Sequence, residues 1–313
     1  MDPVVLFFLL GVAARLARSD LRLPESMYEG LSILLLLAIG LKGGVELARQ
    51  PFLELLPQAL GVILMGLLLP LIAYPVVRFL GRLNRFDSAS LAAHYGSVSV
   101  VTFAVALAHL VDRRIPHEEY AAVFVVLLEI PGIVVGILLA KLGTTRGVSW
   151  GALAHDVFLG RSIVLLAGGL AIGWIAGPQA LEPHGRLFFD LFKGVLALFM
   201  LEMGLVAAAR LGDVRQRAGF LILFGTLVPM AFAVIGALCG LAVGLSPGGT
   251  MLLATLAASA SYIAAPAAIR IAVPEANPSL SLAAALGVTF PFNVLAGVPL
   301  YLWLSNMIHG LAG

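Results

Sequence analysis

Two stretches decide how this chain reads: His94-Tyr95-Gly96-Ser97-Val98-Ser99-Val100-Val101-Thr102-Phe103 and, about half a chain later, Ala258-Ser259-Ala260-Ser261-Tyr262-Ile263-Ala264-Ala265-Pro266. Each is a run of small and hydroxylated residues inside an apolar segment. One such run is what ordinary membrane-helix packing uses, because small residues and hydroxyls let helices approach closely. Two at matching places suggest instead a pair of interrupted helices, the construction by which secondary transporters form a site at the membrane midplane.

Composition fixes the solvent around these stretches. The chain is 61% hydrophobic and 12% charged, with a mean hydropathy of +1.05, against about 25% charged residues in a soluble domain. An all-α integral membrane protein is expected. Nineteen basic against 17 acidic residues is near balance, so the pI of 8.9 marks no nucleic-acid surface. Cys239 is alone, excludes an internal disulfide and reads as a small packed hydrophobe. No Gly-x-x-x-x-Gly-Lys-Ser/Thr loop and no Gly-x-Ser-x-Gly elbow is present, which argues against ATP-driven transport and against an intramembrane hydrolase. The chain reads as a non-enzyme without a cofactor. His117-Glu118-Glu119 lacks the second histidine of a zinc helix and reads as solvated outer loop.

With about 20 residues per crossing, spans fall at 3–17, 26–48, 55–80, 88–111, 118–142, 153–177, 187–209, 217–244, 248–272 and 281–307. The first lacks a basic leader and is expected to stay as an anchor. Arg15, Arg18, Arg22, Arg78, Arg82, Arg85, Lys141, Arg146, Arg210, Arg215, Arg217 and Arg270 flank the odd-numbered connections; Arg49, Arg113, Arg114 and Arg186 flank the even ones. Positive residues collect on the cytoplasmic side, so both termini are expected outside the cytoplasm. Lys42, Arg161 and Lys193 fall near span ends, where long stems reach toward the headgroups.

Ten spans divide into residues 1–150 and 151–313, and five per half makes the second half enter the membrane inverted. Three weak matches align the halves: Ser97-x-Ser99 with Ser259-x-Ser261, Leu37-x-x-Gly40-Leu41 with Leu201-x-x-Gly204-Leu205, and Pro131 with Pro291. The fourth and ninth spans are then the expected broken helices. Between Leu91 and Val98 the fourth has no large aliphatic side chain to commit it to lipid, and Pro266 in the ninth should free the carbonyl of Tyr262. Unpaired amides at a break must meet protein, water or ligand, because hydrocarbon offers them nothing. Two helix amino ends meeting there form an anion site without arginine.

The same stretches carry a family resemblance. His94 to Phe103, Ser259 to Ala268, Val273-Pro274-Glu275-Ala276-Asn277-Pro278-Ser279-Leu280, Ala285-Leu286-Gly287-Val288-Thr289-Phe290-Pro291-Phe292-Asn293-Val294 and Leu201-Glu202-Met203-Gly204 are similar to signatures of the sodium-dependent bicarbonate transporter family. The resemblance runs along essentially the whole chain. It implies a homotrimer in a bacterial inner membrane, each protomer having a gate domain and a sliding core domain, that imports hydrogen carbonate with sodium. A PII-type regulatory protein on the cytoplasmic face is a further implied partner. The connection Gly143 to Trp150 departs from the family pattern by being short.

Carried over residue by residue, the resemblance places the anion at Gly96, Ser97, Val98, Ser99, Ser259, Ala260 and Ser261, and sodium at Thr102, Glu129, Thr289 and Asn293. A carboxylate as deep as Glu129 costs roughly 2.5–3.5 kcal/mol to insert unless paired or hydrated; a protonated, hydrogen-bonded Glu129 is the alternative. Asn293 has an alternative as glue between helices. Asp190 and Lys193 read as an i, i+3 ion pair, and Asp156 and Arg161 as interface anchors. A symporter of another small anion or carboxylate, and a membrane sensor that binds bicarbonate without moving it, stay open as alternatives.

Overall fold

Polar caps and prolines set where helices begin. Asn84 accepts the Asp87 amide at 2.9 Å, Ser246 that of Gly249 at 3.1 Å ahead of Pro247, and Asn277 that of Ser279 at 3.0 Å ahead of Pro278. Each satisfies an amide that has no partner within the first turn. The computed structural model describes residues 3–142, 151, 155, 158–214 and 217–312. All regular structure among the described residues is helical.

The first half contains α1 (Pro3–Leu16), α2 (Glu25–Leu47), α3 (Phe52–Pro75, continued by a π turn at Val76–Leu80), α4 (Arg85–Gly96), α5 (Val100–Asp112) and α6 (Ala122–Lys141). The second contains α7 (Arg161–Leu181), α8 (Phe192–Val214), α9 (Ala218–Ala242), α10 (Pro247–Ala257), α11 (Ala264–Ala272) and α12 (Pro278–Ala312, with π turns at Ala283–Thr289 and Asn293–Gly297). With α4 and α5 taken together, eight helices among the described residues are long and apolar enough to cross a membrane. The protein is a multi-pass, all-α membrane protein. The expected spans at 3–17 and 248–272 lie outside that count, since α1 has 14 residues and α10 and α11 have 11 and 9.

Glycine decides the closest approaches. A methyl group on Gly11 of α1 would land on the Leu201 carbonyl oxygen of α8, and one on Gly204 would land on the Phe8 carbonyl oxygen. Likewise Gly44 of α2 faces the Leu170 carbonyl of α7, and Gly173 faces that of Leu41. Such backbone contact is how membrane helices gain packing where lipid supplies no hydrophobic drive. Helices α1, α2, α7 and α8 thereby form one group; α3, α4 and α6 pack together, as do α9, α10 and α12. Gly177, at φ +71°, bends α7 immediately before Pro178, a backbone that glycine adopts without strain.

The interrupted helices are the interior of the molecule. Of the apolar window through α4 and α5, 94% is buried, against 28% for α7. Large side chains such as Trp174, Ile175, Leu223 and Leu227 are exposed on the outer helices, as a lipid-facing surface requires.

Two expectations need correction. Lys193 pairs with Asp112 of α5, and no bond to Asp190 forms, because the facing helix offers a carboxylate. Glu118 is not simply solvated: its carboxylate accepts the Ser246 amide at 2.8 Å and hydroxyl at 2.9 Å, fastening the start of α10, while Glu119 pairs with Lys42 at 3.3 Å. Arg161 anchors to Glu29 at 2.9 Å. Asp156, Arg146, Arg215 and the connection Gly143 to Trp150 lie outside the described residues.

Candidate functional site

The fourth expected span is interrupted at 97–99 and the ninth at 258–263. At the first, Ser99 caps α5: its hydroxyl oxygen accepts the Thr102 amide at 3.1 Å and the Thr102 hydroxyl at 2.9 Å. The Ser97 hydroxyl donates to the Glu129 carbonyl of α6 at 3.1 Å. Gly132 explains how α6 comes so near, since a methyl group there would overlap the Gly96 carbonyl.

Among the described residues no backbone amide donates to the Tyr262 carbonyl, as the amide that Pro266 lacks leads one to expect. Pro266 stands third in α11, where amides have no helical partner in any case. Pro266 therefore also helps begin a new helix. The Ser261 hydroxyl accepts the Ala265 amide at 3.1 Å, satisfying one donor of that first turn.

The two interruptions are bonded to each other. The Ser99 amide donates to the Ser259 hydroxyl at 2.9 Å, and the Ser261 amide to the His94 carbonyl at 2.7 Å. The structure thus brings together Gly96, Ser97, Val98 and Ser99 with Ser259, Ala260 and Ser261, all buried. Among the described residues the amides of Val100, Val101, Ile263 and Ala264 donate to no protein group. These are the orphan amides of two helix starts, α5 and α11, and they carry the positive ends of the two dipoles. A cavity of about 20 Å³, room for little more than one water, is lined there by Val100, Val101 and Ile263 on one side and by Ser32, Leu35 and Phe199 of α2 and α8 on the other.

Of the four residues assigned to sodium, Thr102, Glu129 and Asn293 sit beside an interruption, and Thr289 lies against α9 and the Tyr95 hydroxyl. Thr102 is one turn into α5. Glu129 of α6 is 2% exposed, and its Oε2 has no hydrogen-bond partner. Asn293 of α12 donates to the Ala258 carbonyl at 2.9 Å and accepts the Tyr301 hydroxyl at 2.7 Å. The Thr289 hydroxyl donates to the Gly225 carbonyl at 2.8 Å and lies 2.6 Å from that of Tyr95. Thr102, Thr289 and Asn293 are held by partners outside this set of four. Asn293 also does the gluing expected of it, joining α12 to the end of α10.

Several supporting residues escaped sequence reasoning. Tyr95 and Tyr301 fix Thr289 and Asn293; Gly132 admits α6; the Tyr262 hydroxyl is buried without a partner beside the second interruption. Gly132 had a signal: with Gly136 it makes a stripe at i, i+4 one turn beyond Glu129.

A family model described as the Na+-dependent bicarbonate transporter superfamily matches residues 3–306. No curated protein matches the chain.

Proposed function

Since this chain belongs to the Na+-dependent bicarbonate transporter superfamily, a family of transporters and not of enzymes, we propose that it imports hydrogen carbonate in symport with sodium by alternating access. The observation that carries the proposal is the meeting of α5 and α11, amino end to amino end, with four undonated amides and bonds from Ser99 to Ser259 and from Ser261 to His94. Fixed dipoles of this kind favour an anion without a compensating cationic side chain.

Sodium supplies the coupling in this reading. Thr102, Glu129, Thr289 and Asn293 offer oxygens, and the buried, unpartnered Glu129 Oε2 has most to gain from a cation. A cation there offsets the cost of an anion nearby at low dielectric, so each ion tightens the other. At one sodium per anion the drive is about 1.4 kcal/mol per tenfold sodium ratio. A second sodium adds about 2.3 kcal/mol per 100 mV of membrane potential.

The architecture we propose is a 5+5 inverted repeat of ten spans, counting α1 and the α10–α11 pair as crossings. Its support is reciprocal: Gly40 and Gly204, matched in sequence, stand respectively against Gly169 of α7 and Gly11 of α1. Exchanging the halves exchanges those two contacts. Helices α1, α2, α7 and α8 form the gate, and the remainder the core that slides as an elevator. Trimeric assembly, a bacterial inner-membrane setting with both termini outside, and a PII-type partner complete the proposal by family resemblance.

The test is uptake of radiolabelled hydrogen carbonate into proteoliposomes at fixed pH, with an inward sodium gradient against potassium replacement. Accumulation only with sodium supports the proposal; none, with protein shown to be folded and inserted, rejects it. Ser99→Ala and Ser261→Ala should each weaken uptake, and unchanged uptake in both removes the site assignment.

A further inference from the structure

A second cavity, of about 140 Å³, lies on the far side of the interruption from α2. It is a partly open cleft between α4, α11 and the segment leading into α12, lined by Ser90, His94, Pro266, Arg270, Val273 and Pro274. It has ample room for a small oxyanion.

His94 gives the cavity its chemistry. The ring is 1% exposed, and Nδ1 lies 2.7 Å from the Ser90 carbonyl, which can only accept. Nδ1 therefore carries the proton, and neutral His94 presents Nε2 as a bare acceptor. That atom is buried and has no partner. Arg270 brings a positive charge to the same cavity and pairs with no carboxylate among the described residues. Ser90 and Ser281 hydroxyls, 2.7 Å apart, add a further donor. The nearby Asp87 carboxylate is already engaged by the Asn277 amide at 2.7 Å and by Asn84 at 2.6 Å.

An acceptor beside a cation selects an anion that still carries a proton. Hydrogen carbonate fits: its O–H donates to Nε2 while its negative oxygens face Arg270. Chloride and nitrate have no proton to give and leave Nε2 unsatisfied. We propose that this cavity is a second hydrogen carbonate site, on the release side of the helix interruption. The inference rests on reading the interruptions as the transport site, because it is the His94 carbonyl that accepts the Ser261 amide there. An anion on the His94 ring therefore bears on the end of α4 and on the second interruption that its carbonyl holds.

The test is equilibrium binding of ¹³C-labelled hydrogen carbonate to the purified full chain at fixed pH and sodium. Two sites per chain are expected. Arg270→Gln should weaken one at least tenfold and spare the other, and Arg270→Lys should retain both. Because Arg270 is exposed, neither substitution touches the packed interior. Ser261→Ala should weaken the other site, so loss of that dependence alone counts against the transport site and not against the second cavity. A single site insensitive to Arg270→Gln would mean the cavity holds only water and overturns the proposal. Competition separates ligands: displacement by dihydrogen phosphate but not by chloride fits a protonated-oxyanion site, and displacement by chloride overturns it.

Discussion

The two interruptions look alike in sequence yet lean on their surroundings to different degrees. The first spans three residues, 97–99, and closes on itself: Ser97 still donates to Ala93 at 3.1 Å, and Ser99 caps the helix that follows. The second spans six, 258–263, and Ile263 at the start of α11 offers no side-chain cap. Beside its own bonds from Ala258 to Ala254, from Ser259 to Leu256 and from the Ala265 amide to Ser261, it needs three from outside: Asn293 on the Ala258 carbonyl, the His94 carbonyl on the Ser261 amide and the Ser99 amide on Ser259. One half of the site is set by its own residues and serves as the template. The other half is assembled against it.

The comparison can be broken most forcefully at Asn293. Asn293→Leu leaves the Ala258 carbonyl and the Tyr301 hydroxyl without partners, each orphaned group costing about 1–3 kcal/mol. Thermal melting in detergent should fall by the largest margin of the set, and sodium-driven uptake should be lost. An unchanged melting point would show that the second interruption holds itself together after all.

Gly132→Ala strikes the template instead. The added methyl meets backbone of Gly96 and Ser97, which cannot rotate away as a side chain could. Overpacking of this kind costs about 1–3 kcal/mol, and uptake should drop at least tenfold. Wild-type uptake in this variant would mean that the first interruption yields as easily as the second.

The serine pair sharpens the comparison further. Ser259→Ala removes the bond between interruptions and orphans the Ser99 amide, whereas Ser261→Ala removes only a cap-like bond to Ala265, worth about 1 kcal/mol. The first substitution should therefore cost more melting temperature than the second, although both weaken uptake. The reverse order would place the structural hinge within α11 and not between the helices.

What could be read in the sequence was local. Small hydroxylated runs located both interruptions, and the match of Gly40 with Gly204, which served only to align the halves, falls on two close helix contacts. The sequence showed that Pro266 frees the Tyr262 carbonyl but not that it stands third in a new helix, because a proline in a first turn and one interrupting a helix look the same until the start of α11 is known. Glu118 was missed as the anchor of Ser246, 128 residues away, and Tyr95 as the neighbour of Thr289, 194 residues away. Such contacts depend on which helices become neighbours, and periodicity reports only which face of a helix is apolar.

The smallest effect separates support from ligation at Thr102, a hydroxyl one turn into α5. Its hydroxyl donates to Ser99, whose oxygen also accepts the Thr102 amide, so Thr102→Val deletes one neutral hydrogen bond and leaves the cap in place. The cost to stability should be about 0.5–1.5 kcal/mol. Donation uses only the proton, however, and leaves lone pairs on the Thr102 oxygen for a cation. A sodium ligand therefore predicts a several-fold higher sodium requirement for half-maximal uptake, with the maximal rate retained at saturating sodium. A strut alone predicts the small melting shift with no change in sodium requirement. The sodium titration of this one variant thus decides whether the template interruption binds the proposed coupling ion or only braces the proposed anion site.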